Sequence, residues 1–211
     1  WLLVWHVVSL CVGSELVLVS PVKVVQTLFT VIFDPDFLKT VWYSAARILG
    51  GFFTALTLGT VLGWVAARFW VVETLLRPIT AVIKATPVAS FIILVLLWFS
   101  GKNLSVIISM LMVFPVIYMN VLEGIRSADK KLLEMAQVFR LSVGKKLLYI
   151  YLPAVAPFFV SACSVSLGLC WKSGIAAEVI GTPDGSIGAV FYQAKIFLQT
   201  SELLAWTVVV V

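Results

Sequence analysis

Six apolar stretches dominate the chain, and short segments containing charged residues, glycine and proline separate them. A transmembrane helix needs about 20 apolar residues at a rise of about 1.5 Å per residue. Four stretches have roughly that length, whereas the first and last are shorter and are interpreted as clipped spans. The pattern therefore predicts an all-α polytopic membrane protein, a single domain over residues 1–211. The six predicted spans cover residues 1–12, 40–67, 79–99, 104–122, 147–171 and 203–211.

The composition supports a lipid environment. Hydrophobic residues make up 62% of the chain, charged residues 12%, and the mean hydropathy is +1.11. A soluble domain has about 25% charged residues. The net charge is +5, but the basic residues lie between apolar runs and form no stripe interleaved with aromatic residues, so we expect no nucleic-acid partner. With His6 as the single histidine, we expect neither a metal centre nor a Ser/His/Asp triad.

The basic residues of the connecting segments predict the orientation, because cytoplasmic connections are enriched in lysine and arginine. Five lie in one set of connections: Lys23, Lys39, Lys102, Lys172 and Lys195. Eight lie in the other set: Arg68, Arg77, Arg126, Lys130, Lys131, Arg140, Lys145 and Lys146. We therefore expect the larger set, and both chain ends, to face the cytoplasm.

Several polar residues fall within the predicted spans. Placing a polar side chain in the bilayer costs free energy, so such residues indicate a function or a structural contact. Arg47 is interpreted either as a snorkelling or ion-paired structural residue, or as a contact for an anionic substrate. Pro87 frees backbone groups near Lys84 and Thr86, which favours either a kink beside a pathway or ordinary helix bending. Glu178 is interpreted as a scaffold hydrogen-bonding group, and Gly59 and Gly63 as a helix-packing pair. The candidates for a translocation pathway are Arg47, Lys84, Thr86, Ser161 and Ser164.

The connection between the fourth and fifth spans predicts a short amphipathic helix within residues 129–144. Leu132, Met135, Ala136 and Phe139 have the spacing i, i+3, i+4, i+7, which places them on one face of a helix. Asp129 is a candidate N-cap, and Gly144 a candidate stop. Such a helix either lies flat at the membrane interface or presses its apolar face into a groove of another protein.

A family resemblance favours the second use. Glu134-Met-Ala, with Pro153 of a Leu-Pro pair nineteen residues after Glu134, resembles the EAA motif of binding-protein-dependent ABC transporter permeases. The segments 47–52 (RILGGF), 84–89 (KATPVA) and 171–181 (WKSGIAAEVIG) are similar to those of the nitrate/sulfonate/taurine-type importers.

The resemblance implies a permease subunit of an importer in the bacterial cytoplasmic membrane. A second permease subunit and an extracellular substrate-binding protein would be its partners. The short helix would be a coupling helix on a separate ATPase subunit, which would hold ATP and Mg²⁺. The chain contains no G-x-x-x-x-G-K-[ST] sequence, so we expect no enzyme activity and no cofactor of its own. The residues implied to act in coupling are Leu132, Glu134, Met135, Ala136, Phe139, Arg140, Leu152 and Pro153.

The sequence departs from the family motif in two places. Met135 replaces the first alanine, and Arg140 stands where the motif has glycine. Because an arginine disfavours the positive φ that glycine allows, we expect a differently built turn that ends at Gly144. The alternative function is an ATP-independent channel or secondary transporter, although no chain of membrane-embedded acidic residues indicates a proton relay. The resemblance leaves the substrate open among nitrate, sulfonates, bicarbonate, and vitamin or pyrimidine precursors.

The distribution of basic residues generates a prediction about orientation. In a cysteine-free version, Lys130→Cys is expected to react with a membrane-impermeant reagent only from the cytoplasmic side. Asp184→Cys is expected to react only from outside, because it lies in the turn-rich segment 181–188. Reversed labelling would contradict the orientation and, with it, the coupling assignment.

Overall fold

The computed structural model describes residues 1–14 and 16–211, and helices dominate that part of the chain. The α-helices are α1 (Leu2–Val12), α2 (Pro21–Ile32), α3 (Phe37–Arg68), α4 (Trp70–Ala85), α5 (Val88–Leu96), α6 (Gly101–Arg126), α7 (Lys130–Val138), α8 (Val143–Lys146), α9 (Leu152–Gly181), α10 (Ile187–Ile196) and α11 (Thr200–Val210). A π-helical turn, Leu147–Tyr151, joins α8 to α9.

Three long helices form the centre of the molecule. Helix α6 packs along both α3 and α9, and its inward residues Val113 and Ile117 are fully buried. Ile48 of α3 and Ala162 of α9 belong to the same apolar core. Because lipid cannot hydrogen-bond to the backbone, helices of this length satisfy their own polar groups and expose apolar side chains outward. The all-helical fold predicted from the apolar pattern is confirmed.

The number of spans differs from the prediction. The described residues contain three segments that are long and apolar enough to cross a membrane: Phe37–Arg68, Gly101–Arg126 and Val143–Gly181. The bent pair α4 and α5 raises that number to four if the two helices together cross once. The terminal helices α1 and α11 have 11 residues each, about half of the length that a span requires. The count of six therefore stays a prediction.

The segment predicted as a span over residues 79–99 is broken at Pro87, where the chain bends by 106° between α4 and α5. That the bent pair crosses the membrane once stays a prediction. Thr86 has extended backbone angles of φ −83° and ψ 132°, and Pro87 follows it. A residue before proline is displaced from the α region by the proline ring, so helix α4 ends there. The Thr86 hydroxyl donates to the Val82 carbonyl at 2.8 Å and so satisfies one of the last acceptors of α4.

The π-helical turn before α9 has a simple cause. Pro153 is the second residue of α9 and has no N–H to donate to the preceding turn. Its ring would also collide with the carbonyl four residues earlier if the helix continued regularly. The wider π-helical turn at Leu147–Tyr151 accommodates this proline without ending the segment, which continues to Gly181.

Basic residues of the larger set lie together at one end of the bundle. One cavity is lined by Arg68 at the end of α3, Ile125 near the end of α6 and Lys146 of α8. At the other end, Gly101 at the start of α6 packs against Gly181 at the end of α9. We call the first of these the basic end. Lys172 departs from the prediction, because α9 continues to Gly181 and places this lysine within the helix and not in a connection. Which end faces the cytoplasm stays a prediction.

Small residues let α3 approach α6 closely. A Cβ atom added to Gly59 would lie 3.0 Å from the Ile117 Cβ, and one added to Gly63 would lie 3.0 Å from the Val121 Cβ. The interpretation of Gly59 and Gly63 as a packing pair is therefore confirmed. Close backbone approach is a main source of helix association in membranes, where lipid is as apolar as the side chains.

Two adjacent glycines of α3 provide a test of this packing. An added Cβ on Gly51 would collide with the Val106 carbonyl oxygen and lie 2.8 Å from the Ser109 Cβ, whereas one on Gly50 meets nothing within 4 Å. We expect Gly51→Ala to destabilise the protein by about 1–3 kcal/mol. The matched control Gly50→Ala is expected to be neutral or slightly stabilising, because alanine favours the helix. Thermal unfolding in detergent measures both, and equal effects would contradict the packing account.

Candidate functional site: a capped helix at the basic end

Helix α7 begins with a side-chain cap, as its sequence predicts. Asp129 lies just before the helix with extended backbone angles, and its Oδ1 accepts a hydrogen bond from the Lys131 N–H at 2.8 Å. An aspartate at this position satisfies an N–H that has no partner within the helix and complements the helix dipole. The predicted N-cap is confirmed.

The end of α7 corrects the prediction about Arg140 and Gly144. Arg140 has φ +48°, so the arginine itself adopts the left-handed conformation. The Leu141 N–H donates to the Ala136 carbonyl at 2.9 Å, and the Arg140 N–H donates to the Gln137 carbonyl at 3.1 Å. These two bonds form a Schellman motif, which offsets the cost of a left-handed arginine. The helix therefore ends at Val138, and Gly144 lies within α8.

One side of α7 packs against its own chain. Ala136 is fully buried and forms a small apolar cluster with Ala128 and Ile150, against which Leu133 and Leu141 pack. The prediction that Ala136 shares a free apolar face with Leu132, Met135 and Phe139 is therefore wrong. Ala136 instead fixes α7 to the π-helical turn that leads into α9. Periodicity identified an apolar face but could not tell how much of it the chain itself covers.

The other apolar residues of α7 are exposed. Leu132 is 43% exposed, Met135 47%, Phe139 72% and Val138 79%. We call these four residues the free face of α7. Val138 belongs to this face although the spacing i, i+3, i+4, i+7 does not include it. Exposed apolar side chains grouped on one short helix are typical of an interaction surface.

The remaining residues implied in coupling divide between the two ends of this connection. Glu134 is exposed on α7, and Leu152 and Pro153 are exposed at the start of α9. Ile150 lies just before Leu152 and packs in the cluster with Ala136. The Glu134 segment and the Leu-Pro segment are thus joined through one apolar cluster.

A buried polar site lies at the opposite end of the bundle. Glu178 of α9 is fully buried, and its Oε2 accepts hydrogen bonds from the Ser44 hydroxyl at 2.6 Å and the Gly188 N–H at 3.4 Å. The Ser44 hydroxyl oxygen accepts the Ile187 N–H at 2.9 Å. Glu178 thus holds the start of α10 against α3. Its carboxylate is attracted by the positive end of the α10 helix dipole. The scaffold interpretation of Glu178 is confirmed.

Arg47 lies one helical turn from Ser44 and has internal partners. Its Nε donates to the Ser105 Oγ at 3.3 Å, and its guanidinium carbon lies 5.1 Å from the Tyr43 ring centroid. Cation–π contact of this kind stabilises a partly desolvated arginine. The Ser105 bond joins α3 to α6, whereas the buried Arg47 Nη2 has no hydrogen-bond partner among the described residues. The structural and the substrate-contact interpretations of Arg47 both stay predictions.

The other pathway candidates lie apart. The Lys84 Nζ lies 3.4 Å from the Met119 Sδ, and the Thr86 hydroxyl bonds within its own helix. Ser161 and Ser164 are exposed on α9. Among the described residues, no hydrogen bond or ion pair joins any two of the five candidates.

The fold and this site define a polytopic helical membrane protein with a short capped helix at one end of its bundle. The chain belongs to the family of binding-protein-dependent transport system inner membrane components, which it matches over residues 59–211. The sequence resemblance to ABC transporter permeases is thereby confirmed.

Several relatives are similar over nearly the whole chain. The putative aliphatic sulfonates transport permease protein SsuC of Bacillus subtilis is 30% identical, over 98% of this chain and 75% of its own length. The taurine transport system permease protein TauC of Escherichia coli is 27% identical, over 98% of this chain and 77% of its own. The nitrate import permease protein NrtB of Synechococcus elongatus is 25% identical, over 98% and 84%. All three are transport permeases by name.

The left-handed arginine generates a prediction. Because a left-handed L-residue costs about 1 kcal/mol and glycine avoids that cost, Arg140→Gly is expected to strengthen the end of α7 by about that amount. Arg140→Val is expected to weaken it, since a β-branched residue tolerates this φ poorly. Hydrogen exchange of the Arg140 and Leu141 amides measures both changes. The control Arg140→Lys should match the parent chain, and faster exchange in Arg140→Gly would contradict the assignment.

Proposed function

We propose that this chain is the permease subunit of an ATP-driven importer and that α7 is its coupling helix. The free face of α7 carries the proposal: four exposed apolar side chains on a helix that is capped at both ends. A separate ATPase subunit would cover this face and would bind ATP and Mg²⁺. A second permease subunit would complete the translocation pathway, and an extracellular substrate-binding protein would deliver the substrate.

The size of the free face suits a docking contact. Full burial of an apolar side chain of this size contributes about 1.5–3 kcal/mol. Phe139 and Val138 are mostly exposed and would gain most of that amount, whereas Leu132 and Met135 are half-buried already and would gain about half. Association and side-chain ordering offset part of the total. The balance supports a contact that transmits movement within a larger assembly.

The attachment of α7 explains how movement would reach the membrane. Ala136 and Ile150 are both buried in one apolar cluster, so α7 and the start of α9 would move as one body. When the ATPase subunits close, the displacement of α7 would pass to α9 and shift the access of the pathway. Ser161 and Ser164, exposed on α9, are the pathway candidates that this movement would reorient.

The orientation and substrate class complete the proposal. We place the basic end, and both chain ends, at the cytoplasmic face of a bacterial inner membrane, because basic residues concentrate on that side. The names of the relatives mention sulfonates, taurine and nitrate, which share an oxyanion. A small oxyanionic solute is therefore the substrate class that we propose for the assembly.

Charge placed on the free face tests the docking. We expect Phe139→Asp and Met135→Asp each to reduce the amount of co-purified ATPase at least tenfold, because a charge at a dry interface is costly. The matched control is Lys130→Asp, since Lys130 lies nine residues before Phe139 and therefore on the opposite side of the helix. Stimulated ATP hydrolysis with loaded binding protein is the second readout.

A further variant separates docking from folding. Ala136→Asp is expected to destabilise the isolated permease, because Ala136 is fully buried within the chain. Phe139→Asp and Met135→Asp should leave its thermal unfolding unchanged. If both free-face variants retain a normal complex and normal stimulated hydrolysis, α7 is not the coupling element and is better interpreted as an interfacial anchor.

A further inference from the structure

A cavity of about 350 Å³ opens at the basic end, where α3, α6 and the segment before α9 meet. Trp64 and Arg68 line it from the last turn of α3, Lys146 from α8, and Tyr151 from the π-helical turn. None of the docking residues on the free face of α7 lines it. The cavity is therefore separate from the proposed docking surface.

The aromatic walls of the cavity are typical of the membrane interface. The Trp64 and Tyr151 rings are in edge contact, with their centroids 5.6 Å apart and their planes at 73°. Tryptophan and tyrosine concentrate at the level of the lipid headgroups, where one end of each ring is apolar and the other is wet. Ile125 and Leu147 add apolar lining beside them. An acyl chain or glycerol backbone suits such walls.

The charges at the cavity have one sign. Arg68 and Lys146 both line it, and within residues 1–14 and 16–211 neither forms an ion pair with a carboxylate. Nearby, Arg126 does have a partner, Glu73, which is also within 4.0 Å of Arg77. Glu73 is thus already engaged, and no carboxylate lines the cavity, so Arg68 and Lys146 remain there without an ion-pair partner in the described part of the chain.

We propose that this cavity binds the headgroup phosphate of an anionic phospholipid, with Arg68 and Lys146 as the cationic contacts. The apolar and aromatic lining would receive the glycerol and the upper acyl chain. The inference rests on the proposed function only for the leaflet, which would be the one that faces the ATPase. Because α8 and the π-helical turn lie between α7 and α9, a lipid bound there would stiffen the connection through which coupling movement would pass.

Quenching of tryptophan fluorescence by brominated lipids tests the site in the whole protein. The contribution of Trp64 to the fluorescence is the difference in emission between the parent chain and Trp64→Phe, both in phosphatidylcholine nanodiscs. We expect brominated phosphatidylglycerol to quench this contribution at much lower mole fraction than brominated phosphatidylcholine. Each juxtamembrane cation contributes about fivefold to the binding of anionic lipid, so the double variant Arg68→Gln with Lys146→Gln should lose roughly 25-fold.

Two controls keep the result interpretable. Lys130→Gln with Lys131→Gln removes the same charge at the same end but outside the cavity, and it should retain the preference. Arg68→Lys with Lys146→Arg conserves the charge and should also retain it. An equal loss in the Lys130/Lys131 pair would overturn the proposal, because the preference would then be a general surface effect.

Three further outcomes would overturn the proposal. Displacement of the brominated lipid by soluble glycerol phosphate would identify a site for a free phosphate ester. Loss of quenching when ATPase subunits are added would show that a protein covers the cavity. Equal quenching by both lipids would show no headgroup recognition. The lipid measurement needs no ATPase, so a failure of ATPase co-purification would count against the proposed function alone.

Discussion

The structure depends on the close meeting of three helices at Ser109. Gly51 of α3 and Gly174 of α9 both face this residue of α6, and any added Cβ at either glycine would lie within 3 Å of Ser109. The Ser109 hydroxyl donates to the Cys170 carbonyl of α9 at 3.2 Å. In lipid, helices associate through packing and hydrogen bonds, because apolar burial gives little advantage there. Two glycines and one serine therefore set the distances from which the other contacts follow.

The bundle carries different kinds of attachment at its two ends. At one end, Glu178 and Ser44 hold the start of α10 through short, fully buried hydrogen bonds. At the basic end, α7 is held by an apolar cluster around Ala136. Buried hydrogen bonds to a carboxylate are strongly directional, and breaking one leaves a costly unsatisfied group. The first end is thus fixed in place, whereas an apolar cluster can shift as a unit.

The sequence predicted local features well and long-range contacts poorly. The helical class, the Asp129 cap and the glycine pair at 59 and 63 follow from local rules on hydropathy, capping and side-chain size. The orientation of Ala136 does not, because α7 has apolar residues toward both its own chain and its surroundings. The contact of Ser44 with Glu178 does not follow from local rules either, because the two residues are 134 positions apart in the chain. Only the tertiary fold places such residues together.

Two turns show where local rules succeed and where they fail. At Thr86-Pro87 the steric effect of proline on the preceding residue indicated a kink or bend, and the helix breaks there although the apolar run continues. At Arg140 the local rule pointed the wrong way, because two hydrogen bonds of the Schellman motif outweigh the steric cost of φ +48°. A residue's intrinsic preference is of the order of 1 kcal/mol, and two well-made bonds compensate it.

The contacts at the basic end also differ in how they pass on a displacement. The contact of Ala136 with Ile150 is a close apolar one, and its energy is lost within a small separation. The attachment of α4 to α6 is an ion pair between Glu73 and Arg126, with the Arg126 side chain 49% exposed. An ion pair weakens gradually with distance, so it tolerates movement that an apolar contact does not. Under the proposed function, a displacement of α7 would therefore pass to α9 through the apolar contact, whereas the ion pair of Glu73 and Arg126 attaches α4 to α6 less strictly.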